Sequence, residues 1–321
     1  MISSHVSAQP PLTPAAATAR NPESMPVARV TPSDAAARAG SADARVVTDP
    51  EDGAGAHWQL HDGGALTEAW ASRELLFFLA WRDVKVRYKQ TLLGVLWAVI
   101  QPLFTMAVFT ILFGRLANIP SDGVPRPLFY FSALLPWLYI SATVTNAAMS
   151  LVANSNLLTK IYFPRMLLPA SVAASGLVDF LVGSVLLAGF VAYYHIHLGW
   201  GLLLWPALVV LMIALALSVG MFLAAVNVRY RDVKYAVPFA IQLWMFITPV
   251  IYPASMVPER FQRLLALNPA DGLVEAFRHV LVPSLPMRWD LLGISTVTTV
   301  AAFWGALVFF RRTEHVFADI I

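Results

Sequence analysis

Six apolar runs, each long enough to cross about 30 Å of hydrocarbon, restrict what this chain can fold into. They cover residues 92–113, 128–152, 166–194, 202–226, 236–252 and 291–310. In hydrocarbon, backbone amides and carbonyls must find partners within the protein, so runs of this kind become helices. The expected class is an all-α integral membrane protein. Composition agrees: 58% of the 321 residues are hydrophobic and 13% charged, against about 45–50% and about 25% in soluble domains. The fifth run is short and contains Pro249. The third is long and carries Ala170, Ala174, Gly176, Gly183 and Gly189, small residues that permit close helix approach.

Lysine and arginine set the orientation, because cytosolic loops carry the excess. With a cytosolic N-terminus, Arg73, Arg82, Lys85, Arg87, Lys89, Lys160, Arg165, Arg229, Arg231, Lys234, Arg311 and Arg312 lie inside. Arg115, Arg126, Arg260, Arg263, Arg278 and Arg288 lie outside, a bias of twelve to six. Both termini are therefore expected in the cytosol. Residues 1–65 are rich in Ala, Pro, Ser and Thr, and are read as a disordered cytoplasmic tail. They contain no apolar signal-peptide core, so the first span is expected to act as its own insertion signal. From residue 66, Leu66, Trp70, Phe77, Trp81, Val84 and Tyr88 recur at helical spacing among basic residues. That pattern predicts a helix lying in the bilayer interface ahead of the first span.

Little in the chain resembles a reaction centre. It has no cysteine, no Gly-rich loop followed by Lys-Ser/Thr, no HExxH and no GxSxG. His195 and His197 lack an evident third ligand, so no metal site is expected. Asp179 is the only acidic residue inside an expected span, and no basic partner appears at mid-span. It should face the bundle or water, with packing or hydration favoured over ion coupling. Aromatic residues crowd the span ends. Trp137, Tyr139, Phe180, Trp244, Phe246 and Tyr252 read either as an ordinary interfacial belt or as rings lining a conduit. Aromatic faces offer rigid contact area to sugar rings without demanding one pattern of hydroxyls.

Two connecting segments stand out. Residues 154–163 fit a short helix that must stop before Pro164. Leu158, Ile161 and Tyr162 fall on one side of it, and Lys160 and Arg165 mark it as cytosolic. Such a helix either enters a groove in a partner protein or lies flat on the headgroups. The external stretch 253–290 is too apolar for a plain loop. Phe261, Leu264 and Leu265, then Leu273, Val274, Phe277 and Leu281, predict two short amphipathic helices broken at Asn268-Pro269.

Three stretches resemble the ABC-2-type polysaccharide export permeases, which move O-antigen, capsular polysaccharide or teichoic acid. They are RELLFFLAWRDVKVRYKQTLLGVLWAVIQPLF (73–104), NVRYRDVKYAVPFAIQLWMFITPVIYP (227–253) and LNPADGLVEAFRHVL (267–281). The resemblance covers residues 66–321, which it implies form the transmembrane domain. It also implies a multi-pass protein of the bacterial inner membrane: a homodimer of six-span subunits that is itself no enzyme. Two copies of a separate cytosolic ATPase chain would carry ATP and Mg, with no cofactor on this chain. The cargo would be a polyprenyl-diphosphate-linked or other lipid-linked polysaccharide, with no nucleic acid partner.

By the same resemblance, Leu157, Leu158, Thr159, Lys160, Ile161, Tyr162 and Phe163 become the coupling helix that meets the ATPase. Arg82, Lys85, Arg87 and Lys89 lie where an anionic headgroup would first be met. Segments 256–267 and 270–281 become external gate helices, with Phe261, Leu264, Leu265, Phe277 and Arg278 as gate residues. The alternatives are a drug or small-lipid exporter of the same superfamily and an ion-driven secondary transporter using Asp179. A membrane glycosyltransferase is disfavoured by the lack of an acidic DxD cluster.

Overall fold

The computed structural model describes residues 72–89, 94–158, 160, 163–283 and 287–320. The expected tail, residues 1–65, lies outside them. The described residues contain helices and no strand. In chain order these are α1 (Arg73–Lys89), α2 (Trp97–Phe109, extended by a π-helical segment, Thr110–Leu116), α3 (Arg126–Ala153) and α4 (Ser155–Leu158). Then follow α5 (Leu167–Tyr193), α6 (Trp205–Arg229), α7 (Val233–Ile247), α8 (Glu259–Leu265), α9 (Pro269–Leu281) and α10 (Trp289–Ile320). Among the described residues, five segments are long and apolar enough to span: Trp97–Leu116, Arg126–Ala153, Leu167–Tyr193, Trp200–Arg229 and Trp289–Glu314.

The fifth apolar run departs from expectation. Its helix α7 has 15 residues, about 22 Å at 1.5 Å per residue. It stops at Thr248, whose extended backbone is what the following Pro249 demands. The remainder of that run bends toward α8 and α9 instead of continuing the span.

α3 is the central post. Most of its length is buried, and it packs against α5 and α6. Close approach is possible because Gly220 of α6 lies where a Cβ would come 2.8 Å from the Ala147 Cβ. Gly183 of α5 similarly makes room for the Leu135 side chain, which would lie 2.4 Å from a Cβ there. The Gly183 contact is the small-residue packing expected of the third run, while Gly220 lies in the fourth and Gly189 has nothing within 4 Å of a Cβ.

Two apolar clusters mark the two ends. One joins Leu79 of α1, Leu151 at the end of α3 and Leu167 at the start of α5 to Val228 at the end of α6 and Phe310 of α10. The other joins Val124 and Phe129 near the start of α3 to Val191 at the end of α5, Val250, and Leu273 and Phe277 of α9. The charge-rich segments about Arg82, Arg165, Arg229 and Arg311 therefore gather at one end of the bundle. The bend at Val250 and helix α9 cap the other end. α9 is started there by Asn268, whose side chain accepts a hydrogen bond from the Ala270 amide at 3.2 Å, with Pro269 in the first turn.

Candidate functional site

A cavity of about 610 Å³ opens between the end of α1 and helices α2, α3, α5 and α7. Its walls combine apolar surface from Trp97, Pro102, Leu135 and Phe180 with polar groups from Gln101, Asn146, Arg87, Tyr88 and Asp179. This mixture, largely apolar with a few convergent polar groups, is what a ligand path requires. Arg87 Nη1 and the Tyr88 hydroxyl both donate to the Asp179 carboxylate, pinning the end of α1 to the middle of α5.

That ion pair is the site feature the sequence reading missed. Asp179 had no basic partner within its own span, and Arg87 was grouped with the headgroup cations. The partners lie 92 residues apart. The available signal was the lone intramembrane carboxylate, which requires a countercharge from some other element. Arg87 supplies that countercharge.

The other three headgroup cations stay together. Arg82, Lys85 and Lys89 line a shallow depression of about 320 Å³ with Phe78, Trp81 and Val86 on the opposite side of α1. Lys85 Nζ sits 5.6 Å from the Trp81 ring centre. Arg82 bonds Asp83 at 2.9 Å and the Asn154 side-chain carbonyl at 3.1 Å, tying α1 to the end of α3. Phe77 and Phe78 are exposed.

The connecting elbow is shorter as a helix than expected. α4 has 4 residues, ends at Leu158, and is followed by a turn at the exposed Lys160. Thr159, Ile161 and Tyr162 lie outside the described residues. Leu157 and Leu158 are half-buried against the charge-rich-end cluster, and Phe163 is buried within it. Phe163 therefore spends its ring on this chain's own core. Arg165 ties the elbow to α10 through two hydrogen bonds to Glu314.

The six conduit aromatics divide. Tyr139 and Phe180 form part of the cavity wall. Trp137 is 3% exposed and packs edge-on against Trp244, 5.5 Å away. Trp244 Nε1 donates to the Asn268 side chain at 2.8 Å, fastening α7 to the start of α9. Tyr252 donates to the Ile247 carbonyl at 3.1 Å, closing the bend after α7, while Phe246 is exposed.

Of the gate residues, Phe261 is exposed, Leu265 is half-buried, and the Leu264 side chain lies outside the described residues. Phe277 and Arg278 are fully enclosed. The Phe277 ring packs edge-on against Trp205 at 4.9 Å. Arg278 is 1% exposed. Its Nη1 donates to Glu275 at 2.6 Å, its Nη2 to the Pro249 carbonyl at 3.0 Å, and its guanidinium lies 4.0 Å from the Phe129 ring centre. Burial opposes the Arg278 charge, and Glu275 counters that effect. Two turns earlier, burial and then Glu275 push the Asp271 carboxyl up to about 7, while Arg288 and Arg278 pull it down.

Comparison with known proteins places these features in a family. The sequence profile described as "ABC-2 type transporter" matches residues 74–282. An O-antigen export system permease protein RfbA from Myxococcus xanthus is 33% identical over 258 residues, covering 79% of this chain and 98% of that protein. An O-antigen export system permease protein RfbA from Klebsiella pneumoniae is 25% identical over 252 residues, 77% of this chain and 95% of its own. The polysialic acid transport protein KpsM of Escherichia coli is 21% identical over 248 residues, 73% and 91% of the two chains.

Proposed function

The chain belongs to the ABC-2 type transporter family, and from that premise we propose that it is the permease subunit of an ATP-driven exporter of lipid-linked polysaccharide. The cargo is of the O-antigen or capsule class, and the membrane crossed is the bacterial inner membrane. The observation that carries this reading is the near full-length match to permeases named for O-antigen export, 98% of the Myxococcus protein.

Physical features fit the same reading. A homodimer with two cytosolic ATPase chains needs a permease surface on which nucleotide-driven motion can act. The elbow at Leu157, Leu158 and Lys160 has that character, being basic and half-buried at the charge-rich end. The positive-inside bias makes this end cytosolic, with both termini there. α7 and the bend after it complete a sixth crossing, and α8 and α9 form an external cover. The depression lined by Arg82, Lys85 and Lys89 offers cations and aromatic surface to a diphosphate headgroup. The cavity on the other side of α1 would receive the first sugars against Tyr139 and Phe180.

The test is co-expression of this chain with a cognate ABC ATPase subunit, in a strain lacking its own glycan exporter. Export restored by the wild-type pair, and lost on Leu158→Asp while the chain still inserts, supports the reading. Export unaffected by Leu158→Asp defeats the elbow's assignment. Failure of the wild-type pair to export any glycan defeats the function.

A further inference from the structure

α10 touches both ends of the proposed machine. At the cytosolic end, the Arg165 amide donates to Glu314 Oε1 at 3.2 Å, and Arg165 Nη1 donates to the Glu314 carbonyl at 2.5 Å. Phe310, one turn earlier, is fully enclosed in the cluster that also holds Phe163 and Leu167. At the outer end, α9 lies so close that a Cβ on Gly272 would come 2.4 Å from the Leu291 carbonyl and 2.5 Å from Ser295 Oγ. α9 is in turn held by Arg278 to the Pro249 carbonyl. Between these anchorages α10 runs as one helix, Trp289–Ile320, without proline. Leu291 and Glu314 are separated by about 35 Å of continuous helix at 1.5 Å per residue.

Without proline, α10 lacks the strongest cause of a kink, and it runs as helix through Gly293 and Gly305 between its anchorages. Packed contacts at both ends do not stretch, because close-packed interiors transmit strain. Displacement of the elbow is therefore shared by α9 unless the Arg165–Glu314 contact breaks or the packing of α10 along α6 absorbs it.

We propose that α10 is a rigid strut that moves the external helix α9 with the cytosolic elbow, with Arg165, Glu314 and Gly272 as its positioning residues. This rests on the reading of the chain as an ATP-driven permease. It assigns the outward transmission to one helix, which that reading leaves open.

The chain has no native cysteine, so labels can be placed one at a time. In the reconstituted complex with its ATPase, a spin label at the exposed Lys160 reports the elbow. A label pair at the exposed Leu267 and Tyr193 reports the outer helices relative to α5. Wild type should show nucleotide-dependent changes at both places. A double variant, Arg165→Ala with Glu314→Ala, should keep ATP hydrolysis and the elbow response but lose the outer response. Its glycan export per ATP should fall at least about 5-fold, the low end of coupling between distant sites.

A second variant, Val300→Gly with Ala301→Gly, puts a soft joint in the exposed middle of α10 and leaves both anchorages intact. It should show the same loss, which a merely structural role for Arg165 would not produce. An outer response that survives undiminished in both variants overturns the strut. Absence of any nucleotide response at Lys160 in wild type removes the permease reading, and the strut with it.

Discussion

Replacing Arg278 by methionine tests whether α9 is held by a buried charge. The side chain is 1% exposed and contributes a 2.6 Å ion pair to Glu275, a 3.0 Å bond to the Pro249 carbonyl and a ring contact to Phe129. Methionine keeps much of the volume but strands the Glu275 carboxylate and the Pro249 carbonyl. Breaking one side of a buried pair costs about 3–5 kcal/mol. Glu275 retains 18% of its side-chain exposure and can rehydrate in part, which argues for the lower end, about 3 kcal/mol. At about 2–4 °C per kcal/mol for a domain of this size, the melting temperature should fall by about 6–12 °C.

The control is the double variant, Arg278→Met with Glu275→Gln. It leaves no stranded charge and should recover part of the loss, the Pro249 carbonyl still lacking its donor at a cost of about 1–3 kcal/mol. Thermal unfolding in detergent, followed by tryptophan fluorescence, reads both. A single variant that melts with wild type would show that Arg278 is not the pin. A double variant no more stable than the single one would show that the stranded carboxylate is not what the mutation costs.

The Asp271 carboxyl, raised by burial from 3.8 to about 7, keeps its proton in the folded state at pH values where the unfolded chain has lost it. Its contribution to stability therefore falls as pH rises from about 4 to about 7. Thermal unfolding should show this slope, with Glu275, Arg278, Arg288 and Tyr252 as the neighbouring charged or titrating groups, and Asp271→Asn should flatten it. Asp179→Asn should weaken the hold of α1 on α5 by about 1 kcal/mol, the scale of a half-exposed pair. A double-mutant cycle with Arg87→Ala would measure this, and glycan export should persist where an ion-driven carrier would stop. Gly220→Val should cost about 1–3 kcal/mol by driving α6 away from α3, and Ala147→Gly should recover part of that loss in the same melt.

The sequence was most legible where a single solvent imposed the rule. Lipid demands long apolar helices, so the five long spans and the small-residue packing of α5 could be read directly from runs and glycines. The stop at Thr248 was half-legible. Pro249 was visible, but whether the chain kinks through it or turns away depends on Asn268 and Arg278 waiting beyond the bend. The elbow was placed correctly between α3 and α5 but given too much helix, because Phe163 is drawn into the core before Pro164.

What the sequence determined by itself was membership and medium: the family stretches, the apolar runs and the one-sided distribution of cations are all local properties of the chain. What only the tertiary structure decided was which charges meet. Arg87 turns to Asp179 while Arg82, Lys85 and Lys89 face the other way. Arg278, counted as an external cation, is enclosed beside Glu275 and Phe129. The physical reason is that ion pairs and buried polar contacts depend on distances between elements. Here those elements lie up to 149 residues apart in the chain, where no periodicity or local propensity reaches.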